Sequence, residues 1–251
     1  MKYLASFAGD DAVHITLCSA MGNQLTQIYP SVREVVPLSN VFLMPSKFLG
    51  ESAGGESLVL GHISNLTFDK GLRTCVELVR ELRKYRRDVK LVIAGPCATA
   101  DVAAYVEDTV RDNPDFITYL GPVYHERKEQ FFAGLDLFVF PTKYRNEAQP
   151  LVILEALSHG IPVAAYATAC AASDLSGSGC CAVCPSTSFV ESALPWILES
   201  FATVEAAQRA REAACDQFRL LQAINSGHID TFISELKTGH NPKGTRNKAH
   251  G

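Results

Sequence analysis

The sequence predicts an α/β fold in which a parallel sheet is flanked by helices. Short apolar runs alternate with longer amphipathic segments, and polar turns separate the two. The clearest run, residues 135–140, is apolar apart from Asp136 and ends at Pro141. Strands buried on both faces of a parallel sheet have this kind of continuous apolar run, and the segments between them form crossover helices.

The first part of the chain is less regular. Residues 1–9 are a short apolar start, residues 13–29 fit an amphipathic helix that ends at Pro30, and residues 32–40 predict a strand and turn. Residues 46–57 (SKFLGESAGGES) are rich in Gly and Ser, which is typical of a linker.

From residue 58 onward the alternation is regular. The predicted strands are 58–63, 89–94, 116–120, 135–140, 161–165 and 181–183. The predicted helices are 70–87, 101–111, 125–133, 151–158, 189–201, 204–223 and 228–236. The helix at 70–87 has Leu72, Val76, Val79 and Leu82 at helical spacing, so these residues should face the core. Residues 167–179 predict a loop, and the polar segment 237–251 predicts a disordered tail.

Composition narrows the functional classes. The chain has 251 residues, 47% apolar residues and a net charge of −4, which argues against a nucleic-acid binder. It contains no apolar run of membrane-spanning length, and its start does not resemble a signal peptide. We therefore expect a cytoplasmic protein, free or peripheral at the inner membrane face.

Metal-binding patterns are weak. There is no D-x-D pair, and the cysteine cluster Cys180, Cys181 and Cys184 lacks a fourth ligand in sequence. We expect neither a metal nor a cofactor.

Two carboxylates follow the buried run at 135–140. Glu147 lies in a polar loop, and Glu155 lies in the next helix between apolar residues. Open α/β sheets bind ligands at the carboxyl ends of their strands. A carboxylate in a largely buried helix requires a partner. That partner is a ligand, the helix dipole or a nearby Lys, and the sequence leaves the three open.

The spacing of these carboxylates resembles a known signature. Glu147 and Glu155, followed by Gly160-Ile161-Pro162-Val163, resemble the E-x7-E motif of retaining GT-B glycosyltransferases of the family 4 type. Residues 58–63 with Lys70-Gly71, residues 91–95 and residues 119–123 resemble further segments of that family. The similarity covers about residues 57–234.

The resemblance implies a domain plan. Residues 58–236 would be a Rossmann-like donor-binding domain, the C-terminal half of a GT-B fold. Residues 1–45 would be a remnant of the N-terminal, acceptor-side domain, joined by the linker 46–57 and followed by the tail 237–251. Most of the acceptor half would be absent from this chain.

The resemblance also assigns roles at the donor phosphates. Lys70, beside Gly71, matches the family's phosphate-binding lysine. Asn65 stands where the family usually has an Arg, which weakens the positive charge unless Lys143 or Arg145 contributes it.

The resemblance assigns further roles at the donor sugar, the ribose and the nucleotide base. Glu147 would contact hydroxyls of the donor sugar, Glu155 would accept hydrogen bonds from the ribose, and Val123 with Pro122 would line the base. Ala148-Gln149-Pro150 replaces the family's G-F-G, so the backbone N–H at Pro150 is lost. The resemblance thus makes Lys70 and Glu147 the expected catalytic residues. The expected donor-binding residues are Asn65, Gly71, Val123, Gln149, Leu151, Val152 and Glu155.

Three functions remain. The first is a donor domain that transfers a sugar from a nucleotide sugar to an unknown acceptor, without a metal. The second is a non-catalytic donor-binding module, from a truncated or split enzyme that needs a partner chain for the acceptor domain. The third is a GT-B epimerase, against which the E-x7-E context argues.

Overall fold

A computed structural model describes residues 13–32, 34–48, 57–177 and 179–238. The predictions for residues 1–9, for most of the linker and for the tail from residue 239 lie outside the described residues. The described residues form two compact units. One comprises the chain up to Phe42 and from Gln222 onward, and the other spans Leu43–Leu221.

The first unit contains a small parallel sheet. Strand β1 (Val13–Thr16) pairs with β2 (Glu34–Pro37), and helix α1 (Ser19–Ile28) connects them. The prediction of one helix over residues 13–29 was therefore wrong at its start. Three of the four β1 residues are β-branched, and such side chains favour a strand because a helix restricts their χ1 rotamers.

The second unit contains the larger sheet. Its strands are β3 (Leu58–Ile63), β4 (Val89–Ala94), β5 (Ile117–Tyr119), β6 (Leu137–Phe140), β7 (Val163–Tyr166) and β8 (Cys180–Val183). The helices are α2 (Leu72–Leu82), α3 (Ala100–Asp112), α4 (His125–Ala133), α5 (Leu151–Ser158), α6 (Ala171–Asp174), α7 (Phe189–Ser200) and α8 (Val204–Thr238). Helix α8 belongs to this unit as far as Leu221.

Two further predictions, one of a helix break and one of a loop, were wrong. The expected break between residues 223 and 228 does not occur, because α8 is continuous through Gly227. A glycine inside a helix costs only about 1 kcal/mol, which the neighbouring helical residues outweigh. The predicted loop at 167–179 contains the short helix α6.

The strand order within the described part of this sheet is β5-β4-β3-β6-β7-β8, and every pair is parallel. The chain builds outward from β3 in one direction and then returns to place β6 on the other side of β3. The predicted fold class, a Rossmann-like parallel sheet flanked by helices, is confirmed. The order reverses between β3 and β6, and ligands of such sheets bind at the carboxyl ends of the strands at this switch point.

Apolar packing fixes the positions of these strands. The predicted core face of α2 is confirmed, because Leu72, Val76, Val79 and Leu82 are fully buried. Every residue of β6 and β7 is also buried, as the continuous apolar runs indicated. None of the described helices combines the length and apolarity that crossing a membrane requires.

One buried polar side chain ties the two central strands together. His62 of β3 donates from Nδ1 to the Val139 carbonyl of β6 at 3.0 Å, and its ring stacks on Phe140. Burial lowers the pKa of His62 to about 4, so the ring is neutral at physiological pH. His62 therefore fixes β3 against β6 directly below the switch point.

Candidate functional site

The loops that follow β3 and β6 meet at the switch point. Gly71 has a left-handed φ of +88°, and a Cβ at this position would lie 2.4 Å from the Pro141 carbonyl oxygen. The Lys143 backbone N–H donates to the Asp69 carbonyl at 2.8 Å. Because Gly71 has no side chain, the loop after β3 can lie directly against the end of β6.

This approach brings together two of the predicted site residues. The Lys70 Nζ donates to Glu147 Oε2 in an ion pair whose side chains are only 19% and 16% exposed. The ammonium group also lies 4.7 Å from the centre of the Tyr144 ring, a distance typical of a cation–π contact. The predicted phosphate-binding cation and the predicted sugar-binding carboxylate therefore form one cluster.

Lys70 lies in a turn that precedes α2, and not at the start of the helix as the sequence predicted. It ends a short 3₁₀ turn, Phe68–Lys70, in which the Thr67 hydroxyl accepts the Lys70 N–H at 3.2 Å. The Gly71 N–H donates to the Phe68 carbonyl, and helix α2 begins only at Leu72. The prediction of a helix starting at Lys70 was wrong, since the left-handed Gly71 separates the 3₁₀ turn from the α-helix. The backbone N–H of Gly71 is used within the turn, so its contribution here is close packing.

Glu155 lies in the second turn of α5, where its two carboxylate oxygens differ. Oε1 accepts a hydrogen bond from Lys128 Nζ of α4 at 2.5 Å. Oε2 is buried and has no hydrogen-bond partner among the described residues. Of the three partners that the sequence left open for Glu155, a nearby lysine is therefore the one that binds Oε1. A buried acceptor without a partner costs roughly 1–3 kcal/mol, so a hydrogen-bond donor that reached Oε2 would stabilise the site.

The start of α5 supplies backbone donors. Pro150 is the residue before the helix rather than its first residue, with φ −66° and ψ 106°. Leu151 is exposed and Val152 is half-buried. The first N–H groups of a helix have no intrahelical acceptor, so those of Leu151 and Val152 are oriented to bind an anion.

Gln149 is directed into the protein. Its side chain is buried, and Nε2 donates to Asp174 Oδ2 of α6 at 3.0 Å. The Cys170 backbone N–H donates to the Ala148 carbonyl at 3.1 Å. These two bonds hold the loop that carries Glu147 against the segment containing α6.

Asp174 makes the stability of this arrangement depend on pH. Burial raises the pKa of its carboxyl from 3.8 to about 6, although the Gln149 hydrogen bond opposes the shift. Below pH 3.8 both the folded and the unfolded protein carry the proton. As pH rises towards 6 only the unfolded chain releases it, so the free energy of unfolding decreases.

We expect Asp174→Asn to raise the free energy of unfolding at pH 7 by about 2 kcal/mol and to leave it almost unchanged at pH 4. The amide remains neutral, and its oxygen can still accept from Gln149. Urea unfolding at both pH values measures the difference. The exposed Asp115→Asn is the matched control, and a loss of stability at pH 7 in Asp174→Asn would contradict the expectation.

Four further predicted residues lie on the segments that follow β3, β5 and β6. Val123 is buried in the segment after β5, and Asn65 is exposed after β3. Lys143 and Arg145 are exposed, and the Lys143 ammonium lies 5.2 Å from the Tyr166 ring. Among the described residues, none of these four has a side-chain hydrogen bond to Lys70 or Glu147.

Lys128 was missed by the sequence reasoning. It lies 27 positions before Glu155 and on a different helix, so no local spacing connects the two. The only signal was the need of a buried carboxylate for a partner, which did not identify which lysine would supply it.

A cleft of about 720 Å³ lies at the amino ends of the strands, near the starts of β3 and β6. Its lining includes Leu58, Arg86, Asp136 and Glu212, and none of the predicted donor residues. Elsewhere in the described chain, no group of three or more His, Cys, Asp or Glu side chains is placed to hold a metal ion. The carboxyl edge therefore remains the candidate site.

Solved structures share the fold. A variant of TarM from S. aureus, in complex with Fondaparinux, alpha-GlcNAc-glycerol and UDP, is 17% identical with a TM-score of 0.68, over 93% of this chain and 45% of that one. Anabaena Alr3699/HepE in complex with UDP and glucose is 19% identical with a TM-score of 0.59, over 88% and 62%. Sucrose-phosphate synthase from Thermosynechococcus elongatus is 14% identical with a TM-score of 0.68, over 95% and 62%.

The sheet and its helices thus match the GT-B glycosyltransferase fold of these proteins. The chain spans 45–62% of the length of these three proteins. No curated protein matches the sequence significantly.

The family itself follows from the sequence model of the glycosyl transferases group 1. This model matches residues 57–199, which include the sheet, the Lys70–Glu147 pair and Glu155. Because the match covers more than half of the chain, this protein belongs to the group 1 glycosyl transferases.

Proposed function

We propose that this chain is the donor-binding half of a retaining, metal-independent GT-B glycosyltransferase of the family 4 type. It would bind a nucleotide sugar and present the sugar to an acceptor. The observation that supports this most directly is the clustering of Lys70 and Glu147 at the switch point, where the ordinary ligand site of such a sheet lies.

The diphosphate leaving group needs positive charge. Lys70 supplies an ammonium group, and the Leu151 and Val152 N–H groups add backbone donors at the start of α5. The sequence has no D-x-D pair to hold a divalent metal, so cationic and backbone groups take that role. Asn65 adds a neutral donor, and Lys143 and Arg145 are exposed cations on the adjacent loop.

Binding of the diphosphate would also release Glu147. In the structure its carboxylate is held by Lys70. When phosphate oxygens take the ammonium group, the carboxylate becomes free to accept hydrogen bonds from donor-sugar hydroxyls near the anomeric carbon. A carboxylate near this carbon favours an oxocarbenium-like transition state.

The nucleoside would occupy the other half of the site. Glu155 Oε2 is buried without a partner among the described residues, which suits a ribose hydroxyl donor. Val123, in the segment after β5, would line the base, and Gln149 would fix the loop through Asp174. UDP is the first nucleotide to test, since TarM and HepE have been solved with UDP.

A second candidate is a non-catalytic donor-binding module that needs a partner chain for the acceptor domain. The chain spans 45% of TarM and 48% of a solved chain from the GtfA/B complex, which itself contains two proteins. Under either proposal the protein would act in the cytoplasm, free or at the inner membrane face, on an acceptor that an acceptor-side domain would select.

Calorimetric titration with UDP, GDP and ADP tests donor binding. We expect weak binding of a nucleoside diphosphate and weaker binding of the corresponding nucleoside, because the phosphate contacts are lost. Absence of binding for all three diphosphates would overturn the proposal. Incubation with a panel of UDP-sugars and glycan acceptors separates the two candidates, since robust transfer by this chain alone would exclude the module.

A further inference from the structure

Two side-chain pairs join α4 to the α5 segment. Lys128 of α4 binds Glu155, and the adjacent Glu129 accepts a hydrogen bond from His159 Nε2 at 2.9 Å. Glu155 lies in α5 and His159 directly follows the helix, with His159 Nδ1 2.8 Å from the Glu155 carbonyl oxygen. Glu129 also pairs with Lys47 at 2.5 Å, and burial of the His159 ring on Phe132 adds apolar contact. The contacts of His159 with Glu129 and Phe132 therefore hold α4 against the end of α5 independently of Lys128.

The Lys128–Glu155 pair has a different consequence. It uses Oε1 and leaves Oε2 buried without a partner among the described residues. A charge-assisted hydrogen bond is short and directional, so it restricts rotation of the carboxylate. Lys128 thereby fixes which Glu155 oxygen is engaged and which one lacks a partner among the described residues.

We propose that Lys128 is a positioning residue that gives this site its preference for ribose over deoxyribose. This inference rests on the proposed function, in which Glu155 receives the nucleotide ribose. By holding Oε1, Lys128 presents Oε2 to the ribose hydroxyls in one orientation. A 2′-deoxynucleotide leaves part of that hydrogen-bonding capacity unused, and a site built around a hydroxyl discriminates against analogues that lack it.

The test compares the dissociation constants of UDP and 2′-deoxy-UDP in four proteins. We expect the wild type to bind UDP about tenfold more tightly than 2′-deoxy-UDP. In Lys128→Met the UDP affinity should fall about tenfold while the affinity for 2′-deoxy-UDP changes little, so that the ratio approaches one. Lys128→Arg should restore most of the ratio, because the guanidinium group can donate to the same oxygen.

Glu129→Gln is the matched control. It alters the other α4–α5 pair and leaves the charge pair at Glu155 intact, so the ratio should stay at the wild-type value. Lys128→Gln serves as a further neutral variant if Lys128→Met does not fold. Thermal unfolding verifies that each variant is folded before its affinities are compared.

The outcomes separate the two levels of the proposal. If the wild type binds no nucleoside diphosphate, the proposed function fails and this inference fails with it. If the wild type binds UDP and the neutral Lys128 variants keep the wild-type ratio, only the role of Lys128 is overturned. An equal loss for both nucleotides would also overturn it, because a phosphate or folding role does not distinguish ribose from deoxyribose.

Discussion

Replacing Lys70 by methionine is expected to weaken UDP binding about 100-fold and to leave the much weaker binding of uridine within about threefold. Hydrogen bonds to a charged group contribute roughly 1.5–3 kcal/mol each, and the diphosphate loses its nearest cation. The substitution also leaves Glu147, with its side chain only 16% exposed, beside the phosphates without a counter-charge. Both effects act on the diphosphate and spare the nucleoside.

Calorimetry with UDP and uridine measures the two affinities. The double variant Lys70→Met/Glu147→Gln separates lost attraction from added repulsion and should recover part of the UDP affinity. Lys84→Met removes the same charge from a side chain that is 65% exposed, and it should bind like the wild type. Unchanged UDP affinity in Lys70→Met would remove Lys70 from the phosphate site.

The sheet could be predicted because its strands are buried on both faces. A strand of this kind needs apolar residues throughout, as β6 and β7 have, and the sequence therefore marks it without help from its neighbours. The errors fell where local pattern and tertiary context compete. Residues 13–16 form a strand because β2 pairs with them, and Gly227 stays helical because the helix continues on both sides.

The candidate site could be predicted only in part. Lys70 and Glu147 each follow a buried strand, so a parallel sheet brings them to the same edge, and the structure joins them in an ion pair. The contacts of Glu155 with Lys128 and of Gln149 with Asp174 link different helices and loops. Such pairs depend on helix packing, which leaves no periodic signal in the sequence.

The loop conformation was also beyond sequence reasoning. Lys70-Gly71 resembles a segment of the family in sequence. However, the left-handed φ of Gly71 and its approach to Pro141 arise from the way the loop after β3 packs on β6. Lys70 consequently belongs to a 3₁₀ turn and reaches Glu147 from there. The residue types could be predicted, while the geometry that makes them a cluster could not.

The Glu155→Ala variant is expected to lose at least 100-fold in UDP affinity, to the limit of calorimetric detection. In the described part of the chain, the Glu155 carboxylate has one oxygen held by Lys128 and one without a partner, so the substitution removes both the preset orientation and the acceptor. Two hydroxyl donors to a charged acceptor, at roughly 1.5–3 kcal/mol each, account for a loss of this size. The Lys128 side chain is 28% exposed and can turn towards water, so the fold should survive the substitution.

Glu155→Gln is the informative companion, because it keeps the side-chain shape and one carbonyl oxygen while removing the charge. We expect a loss of about tenfold, intermediate between the wild type and the alanine variant. Glu126→Ala, which removes an exposed carboxylate from α4, should bind UDP like the wild type. If Glu155→Ala keeps the wild-type affinity and remains folded, Glu155 has no part in nucleotide binding, and its pair with Lys128 serves only to pack α4 against α5.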